Sequence, residues 1–181
     1  FPEVQIVRPG GNHCGTKNAL KHLDHWLGDG KWDVIHFNFG LHDGKHVVPG
    51  TEKSSDKPNE PIWVQASNNP KDPIWVSPEQ YLENLTQIVK RLKQTGAKLI
   101  FATTTPVPED EHYRVIDHRQ PPIYNQIAIE VMKEHGVAVN DVYSYVLPHL
   151  KGWQNPKDVH FNATGSRKIA EKIKEAIQEV L

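Results

Sequence analysis

The sequence predicts an α/β protein in three layers, a parallel β-sheet with helices on both faces. Three observations carry that reading. Short runs rich in β-branched and aromatic residues alternate with longer stretches whose apolar residues recur every three or four positions. Glycine or proline stands at nearly every junction between them. Polar, glycine-bearing clusters follow the strand-like runs, where sheets of this kind collect their ligands.

Each element can be justified in turn. Val4-Gln5-Ile6-Val7 reads as a short strand stopped by Pro9-Gly10-Gly11. Over residues 16–27, Ala19, Leu20, Leu23, Trp26 and Leu27 fall at helical spacing, and Gly28 ends the run. Residues 34–39 form a buried strand pattern. Ser77-Pro78-Glu79-Gln80 is a helix start, with Ser as N-cap, Pro at the first position and Gln closing a capping box. Tyr81, Leu85, Ile88, Val89 and Leu92 then make one apolar stripe that Gly96 terminates. Residues 98–103 are the next strand, which Pro106 and Pro108 cannot continue. A helix over 123–135 stops at Gly136, a strand follows at 137–140, and a last helix carries Ile169, Ile173, Ala176, Ile177 and Val180.

Composition excludes several classes of partner. The 181 residues suit a single domain with a real core. The 21 basic and 22 acidic residues are mixed evenly for a net charge of −1, which argues against nucleic acid or an anionic membrane surface as a partner. No apolar run approaches the roughly 20 residues of a membrane-spanning helix. Cys14 is the single cysteine, so neither an internal disulfide nor a multi-cysteine zinc site is expected, and no cofactor is. Phe1 begins mid-pattern without an initiating Met, which suggests a processed or truncated terminus.

Two clusters carry the chemistry. Asp158-Val159-His160-Phe161 sets a histidine beside a carboxylate just before the last helix, as catalytic bases are often built. Gly40-Leu41-His42-Asp43 follows the strand at 34–39. Together with Gly15-Thr16, and in this order and spacing, these motifs resemble three of the four blocks of SGNH (GDSL-type) hydrolases. Those are esterases and deacetylases on a flavodoxin-like sheet, and the resemblance runs from Val4 to Leu181. It implies a serine nucleophile in a Gly-Asp-Ser turn after the first strand, an oxyanion hole from a block-two Gly and a block-three Asn, and a C-terminal Asp and His.

Carried across, His160 matches the general base and Gly15 the backbone N–H donor of the oxyanion hole. His42 stands where the family has Asn; a neutral imidazole N–H can donate there too, at the cost of pH sensitivity. Asp43 is expected to hold its loop by hydrogen bonds. The family's Asp lies three residues before the His, where this chain has Lys157. Asp158 lies only two before, so it orients His160 by another route, or a Ser–His dyad operates. The serines are Ser54, Ser55, Ser67, Ser77, Ser144 and Ser166, and none occupies a nucleophile turn. The first strand and its serine are therefore expected to be missing, leaving an edge and a core gap between the second and third strands. On this reading the chain is a truncated member, inactive unless another segment supplies the serine.

Residues 44–77 break the alternation and read as a functional insertion or lid, long for a loop and rich in Pro, Asn, Asp and Lys. The repeat Pro61-Ile62-Trp63-Val64 and Pro73-Ile74-Trp75-Val76 suggests a β-hairpin with both indoles on one face, suited to stacking on sugar rings. The alternative is that both pack against the domain. The expected function is deacetylation of a carbohydrate or small ester by a serine-dependent hydrolase. A non-catalytic binding or assembly remnant of the same fold is the alternative. A third idea, a metallohydrolase using His42, Asp43 and His46, is disfavoured because Gly44 and the post-strand position oppose the helix such a motif needs. His22 and His25, three apart on a helix, are expected to be solvated or core-edge residues.

Overall fold

The computed structural model describes residues 4–9, 14–54, 57, 60–109 and 115–181. Three strands, β1 (Val34–Phe37), β2 (Lys98–Ala102) and β3 (Ala138–Asn140), form a parallel sheet in the order β1-β2-β3. Val34 lies opposite Lys98, and Ile100 opposite Ala138. The fold is flavodoxin-like α/β, as the alternation predicts.

One face of the sheet is covered by α1 (Thr16–Leu27), α2 (Pro78–Lys93) and α3 (Gln120–His135), with α2 packed between the other two. Leu85, Ile88 and Val89 of α2 are fully buried in one cluster with Leu99 and Phe101 of β2. Ala102 points the other way, onto Val142 and Val146 of α4 (Val142–Val146) and Ile169. Ile169 belongs to the C-terminal helix, which spans Ala163–Val180 and follows a 3-10 turn (Leu147–His149) and the short α5 (Leu150–Trp153); it is α6 here. The pieces between residues 142 and 153 were not foreseen. They are too short to show a helical period, and Pro148 interrupts them.

The α2 start behaves as its letters dictate. The Ser77 hydroxyl accepts from the Gln80 N–H at 3.2 Å, and the Gln80 side chain accepts from the Ser77 N–H at 3.3 Å. Ser77→Ala removes one of these and should cost about 1 kcal/mol. Thermal melts should show a fall of roughly 2–4 °C.

Two expectations need correction. Val4-Gln5-Ile6-Val7 is not a strand: Val4, Ile6 and Val7 are 40%, 79% and 51% exposed, and the segment pairs with no described strand. Branched side chains favour a strand only when a neighbour takes up their hydrogen bonds and packing. Gly10, Gly11 and Ser55 lie outside the described residues.

Nor do the two Pro-Ile-Trp-Val repeats pair with each other. Each bridges instead to the segment between residues 45 and 53: Lys53 with Trp63, and His46 with Ile74. The tryptophans therefore end in different surroundings, Trp75 at 4% exposure and Trp63 at 54%. Trp75 is drawn inward by its indole N–H, which donates to Glu52 at 2.6 Å, and by the Lys45 ammonium 4.4 Å from its ring. Among the described residues no helix is long and apolar enough to cross a membrane.

Candidate active site

Two glycine-bearing turns form one wall of the site. Gly15 is the N-cap of α1, and its carbonyl accepts from the N–H groups of Asn18 and Ala19. A methyl group on Gly15 would sit 2.8 Å from the Asp43 carboxylate, so only glycine allows this approach. Asp43 is fully buried, and its Oδ1 accepts from the Thr16 N–H at 2.8 Å and the Thr16 hydroxyl at 2.6 Å. An acidic group at a helix N-terminus also faces the positive end of the helix dipole. Burial pushes the Asp43 carboxyl up, and the Thr16 bonds oppose that rise. Asp43 thus ties the Gly40–Asp43 turn to the start of α1, as expected of it.

The floor beneath this turn was not read from the sequence. Gly40 has φ 138°, and a methyl group there would meet the Thr104 hydroxyl at 2.5 Å. The Phe39 carbonyl accepts from the Tyr81 hydroxyl at 2.8 Å and the Thr104 hydroxyl at 3.0 Å. Asn125 brackets Thr104, accepting from its N–H at 2.7 Å and donating to its carbonyl at 2.9 Å. Tyr81 and Tyr124 meet edge to face at 4.8 Å. Tyr81, Tyr124 and Asn125 sit on helices whose pattern gives no local signal for this role, whereas Thr104 belongs to the polar Thr103-Thr104-Thr105-Pro106 run that the sequence places at the carboxyl end of β2.

The histidine loop carries the second cluster, near enough for the His160 charge to act on His42. The imidazole Nδ1 of His160 lies 2.7 Å from Asp158 Oδ1, and the same oxygen accepts from the His160 backbone N–H at 3.2 Å. The two-residue spacing works because Asp158 Oδ1 closes a local turn on both the backbone N–H and the ring of His160, just after Lys157 at φ 57°. With Nδ1 donating to the carboxylate, Nε2 is left as the acceptor. The hydrogen bond from His160 holds the Asp158 carboxyl below its ordinary value. Gln154 fixes the loop's position: it is buried, and its side-chain N–H donates to the Pro106 carbonyl at 3.0 Å, just beyond β2. Asn162 caps α6 by accepting from the N–H groups of Thr164 and Gly165.

The two sides approach each other. Burial lowers the His42 pKa first, and the charges of Lys45 and His160 lower it further. His42 should therefore be neutral at pH 7 and titrate below 6.5. Imidazole proton NMR over pH 4–8 would check this, and Lys45→Met should raise the midpoint. A higher wild-type midpoint would contradict the environment described.

The other singled-out residues scatter. Among the described residues no serine hydroxyl bonds His160. Ser77 caps α2, Ser67 donates to Asp72, Ser54 accepts from Lys21, Ser166 donates to the Phe161 carbonyl, and Ser144 lies within α4. His46 is buried, with Nδ1 against the Asp72 carbonyl at 2.8 Å, and His22 is buried against the Glu60 carbonyl at 2.9 Å. No group of three His, Cys, Asp or Glu side chains among the described residues is arranged to hold a metal ion. Trp75 offers no open face to a sugar, whereas Trp63 does; its neighbour Ile62 donates its N–H to Asn18, in the first turn of α1, at 2.6 Å.

Glycine-bearing turns thus follow the carboxyl end of β1 and precede α1, and a loop histidine pairs with an aspartate before α6. Residues 8–168 match the model of the GDSL-like lipase/acylhydrolase family, and the chain belongs to that family. Solved structures share the fold. A lipase/acylhydrolase from Enterococcus faecalis is 19% identical, with a TM-score of 0.65 over 91% of this chain and 71% of its own. An α/β hydrolase enzyme from the metagenome of Lake Arreo, Spain, is 19% identical at TM-score 0.69, over 100% and 77%. An acetylxylan esterase from Geobacillus stearothermophilus is 14% identical at TM-score 0.61, over 92% and 67%. A sequence search of curated proteins found no match.

Proposed function

We propose that this domain hydrolyses carboxylic esters, removing acetyl or similar acyl groups from a carbohydrate. The observation that carries the reading is the Asp158–His160 pair at 2.7 Å on the loop that faces His42. His160 Nε2 takes the proton of a serine hydroxyl as its oxygen attacks the ester carbonyl. The Gly15 N–H and the neutral His42 N–H stabilise the resulting oxyanion. His160 then gives the proton to the departing alcohol, and a water deprotonated by His160 releases the acid and the free serine.

The carbohydrate assignment is supported by the acetylxylan esterase among the structural neighbours and by the open indole of Trp63. The 44–77 insertion flanks the site and supplies that indole. None of the described serine hydroxyls bonds His160, so the nucleophile is assigned to a segment outside the described residues. The same observation favours the second reading, a binding module that keeps the pocket without the chemistry. Intact mass, fluorophosphonate labelling and p-nitrophenyl acetate turnover separate the two. A labelled serine with turnover supports the esterase; a 20.6 kDa chain that neither labels nor turns over supports the binding module.

A further inference from the structure

The turn that carries His42 also delivers a cation the reaction scheme does not use. The Lys45 N–H donates to the His42 carbonyl at 3.4 Å, so the two residues leave the same turn. The Lys45 side chain is half-buried, and its ammonium lies 4.4 Å from the Trp75 ring centroid. Trp75 is itself fixed: its indole N–H donates to Glu52 Oε2 at 2.6 Å, and the same oxygen receives the Lys17 ammonium at 2.7 Å.

Neither nearby carboxylate forms an ion pair with Lys45, although the buried Asp43 keeps its Oδ2 without a hydrogen-bond partner among the described residues. Glu52 is shared between Lys17 and Trp75, and Asp43 is sealed beneath Gly15 with its Oδ1 on Thr16. Among the described residues no carboxylate lies within ion-pair distance of the Lys45 ammonium, which has the aromatic contact and, farther off, the charges of Cys14 and Asp43. A partly desolvated ammonium backed by an indole face gains from a carboxylate arriving on its open side. Burial lowers the Lys45 pKa from the ordinary value, outweighing the charges of Cys14 and Asp43, which raise it.

We propose that Lys45 recognises a carboxylate on the substrate, so that the preferred ester sits on an acidic sugar of the uronic acid type. The proposal rests on the esterase reading for its context, but binding can test it without turnover. Sodium D-glucuronate and D-glucose would be titrated into the whole chain, following the His42 and His160 imidazole resonances. Wild type, Lys45→Met, Lys45→Arg and Lys45→Gln would be compared at fixed ionic strength. Glucuronate should bind at least tenfold more tightly than glucose to wild type. Lys45→Arg should keep most of that preference, while Lys45→Met and Lys45→Gln reduce it to within twofold.

Equal binding of the two sugars, no binding of either, or a preference unchanged in Lys45→Gln would overturn the proposal. Should one neutral variant fail to fold, the other variants and the wild-type comparison still decide. The two readings also fail separately. Glucuronate preference without p-nitrophenyl acetate turnover leaves Lys45 standing and removes the esterase. Turnover without preference does the reverse.

Discussion

With the segment that supplies the serine present, replacing His160 by alanine should lower kcat/KM for p-nitrophenyl acetate roughly a thousandfold, within the range ascribed to a positioned acid–base group. The His160 side chain is 79% exposed, so stability should change by less than about 0.5 kcal/mol. Activity loss without a matching shift in the melt separates a chemical role from a structural one. Asp158→Ala should have a smaller effect, since it removes the 2.7 Å bond that orients the ring but leaves Nε2 in place. Wild-type-like turnover in His160→Ala would end the assignment of this residue as base.

The second large effect is on folding. Asp43→Ala takes the acceptor from two buried Thr16 donors and should destabilise the protein by about 2–3 kcal/mol. That corresponds to a melting temperature lower by roughly 5–10 °C. Asp43→Asn keeps an acceptor and should lose less. The pH dependence distinguishes it further, because burial raises the folded-state pKa of Asp43 above 3.8. The folded protein then holds the proton more tightly than the unfolded chain. The associated stability is complete below about pH 4 and falls as pH rises through the folded-state value. Asp43→Asn should abolish that slope, which urea unfolding across pH 4–7 would measure.

What the letters revealed follows from how far each signal reaches along the chain. The bounds of α1 match the run from Thr16 to Leu27, because its apolar spacing and Gly28 are local. The Ser77 capping box is equally local. Val4-Gln5-Ile6-Val7 has the composition of a strand, but whether a strand forms depends on a partner that composition does not name. The two Pro-Ile-Trp-Val repeats invited pairing with each other, yet both bridge to residues 45–53, which show no alternation. Asp158 looked misplaced by spacing, and the left-handed turn at Lys157 brings it onto His160. Asn125, Tyr81 and Tyr124 hold the Gly40 turn from distant parts of the chain, so no motif marks them, whereas Thr104 stands in a polar run already legible at the end of β2.

One consequence follows from how the 44–77 stretch is fastened. Its described residues are stitched at Asn18 to Ile62, at Glu52 to Lys17 and Trp75, and at the Asp43 carbonyl to the Val76 N–H. Two of these bonds pin the described part of the border to the first turn of α1, and the third closes its two ends. Ligands would be sieved by a standing contour rather than enclosed by a closing one. Departure of the spent alcohol would then not wait on any opening step, unlike enzymes whose turnover is paced by a moving flap.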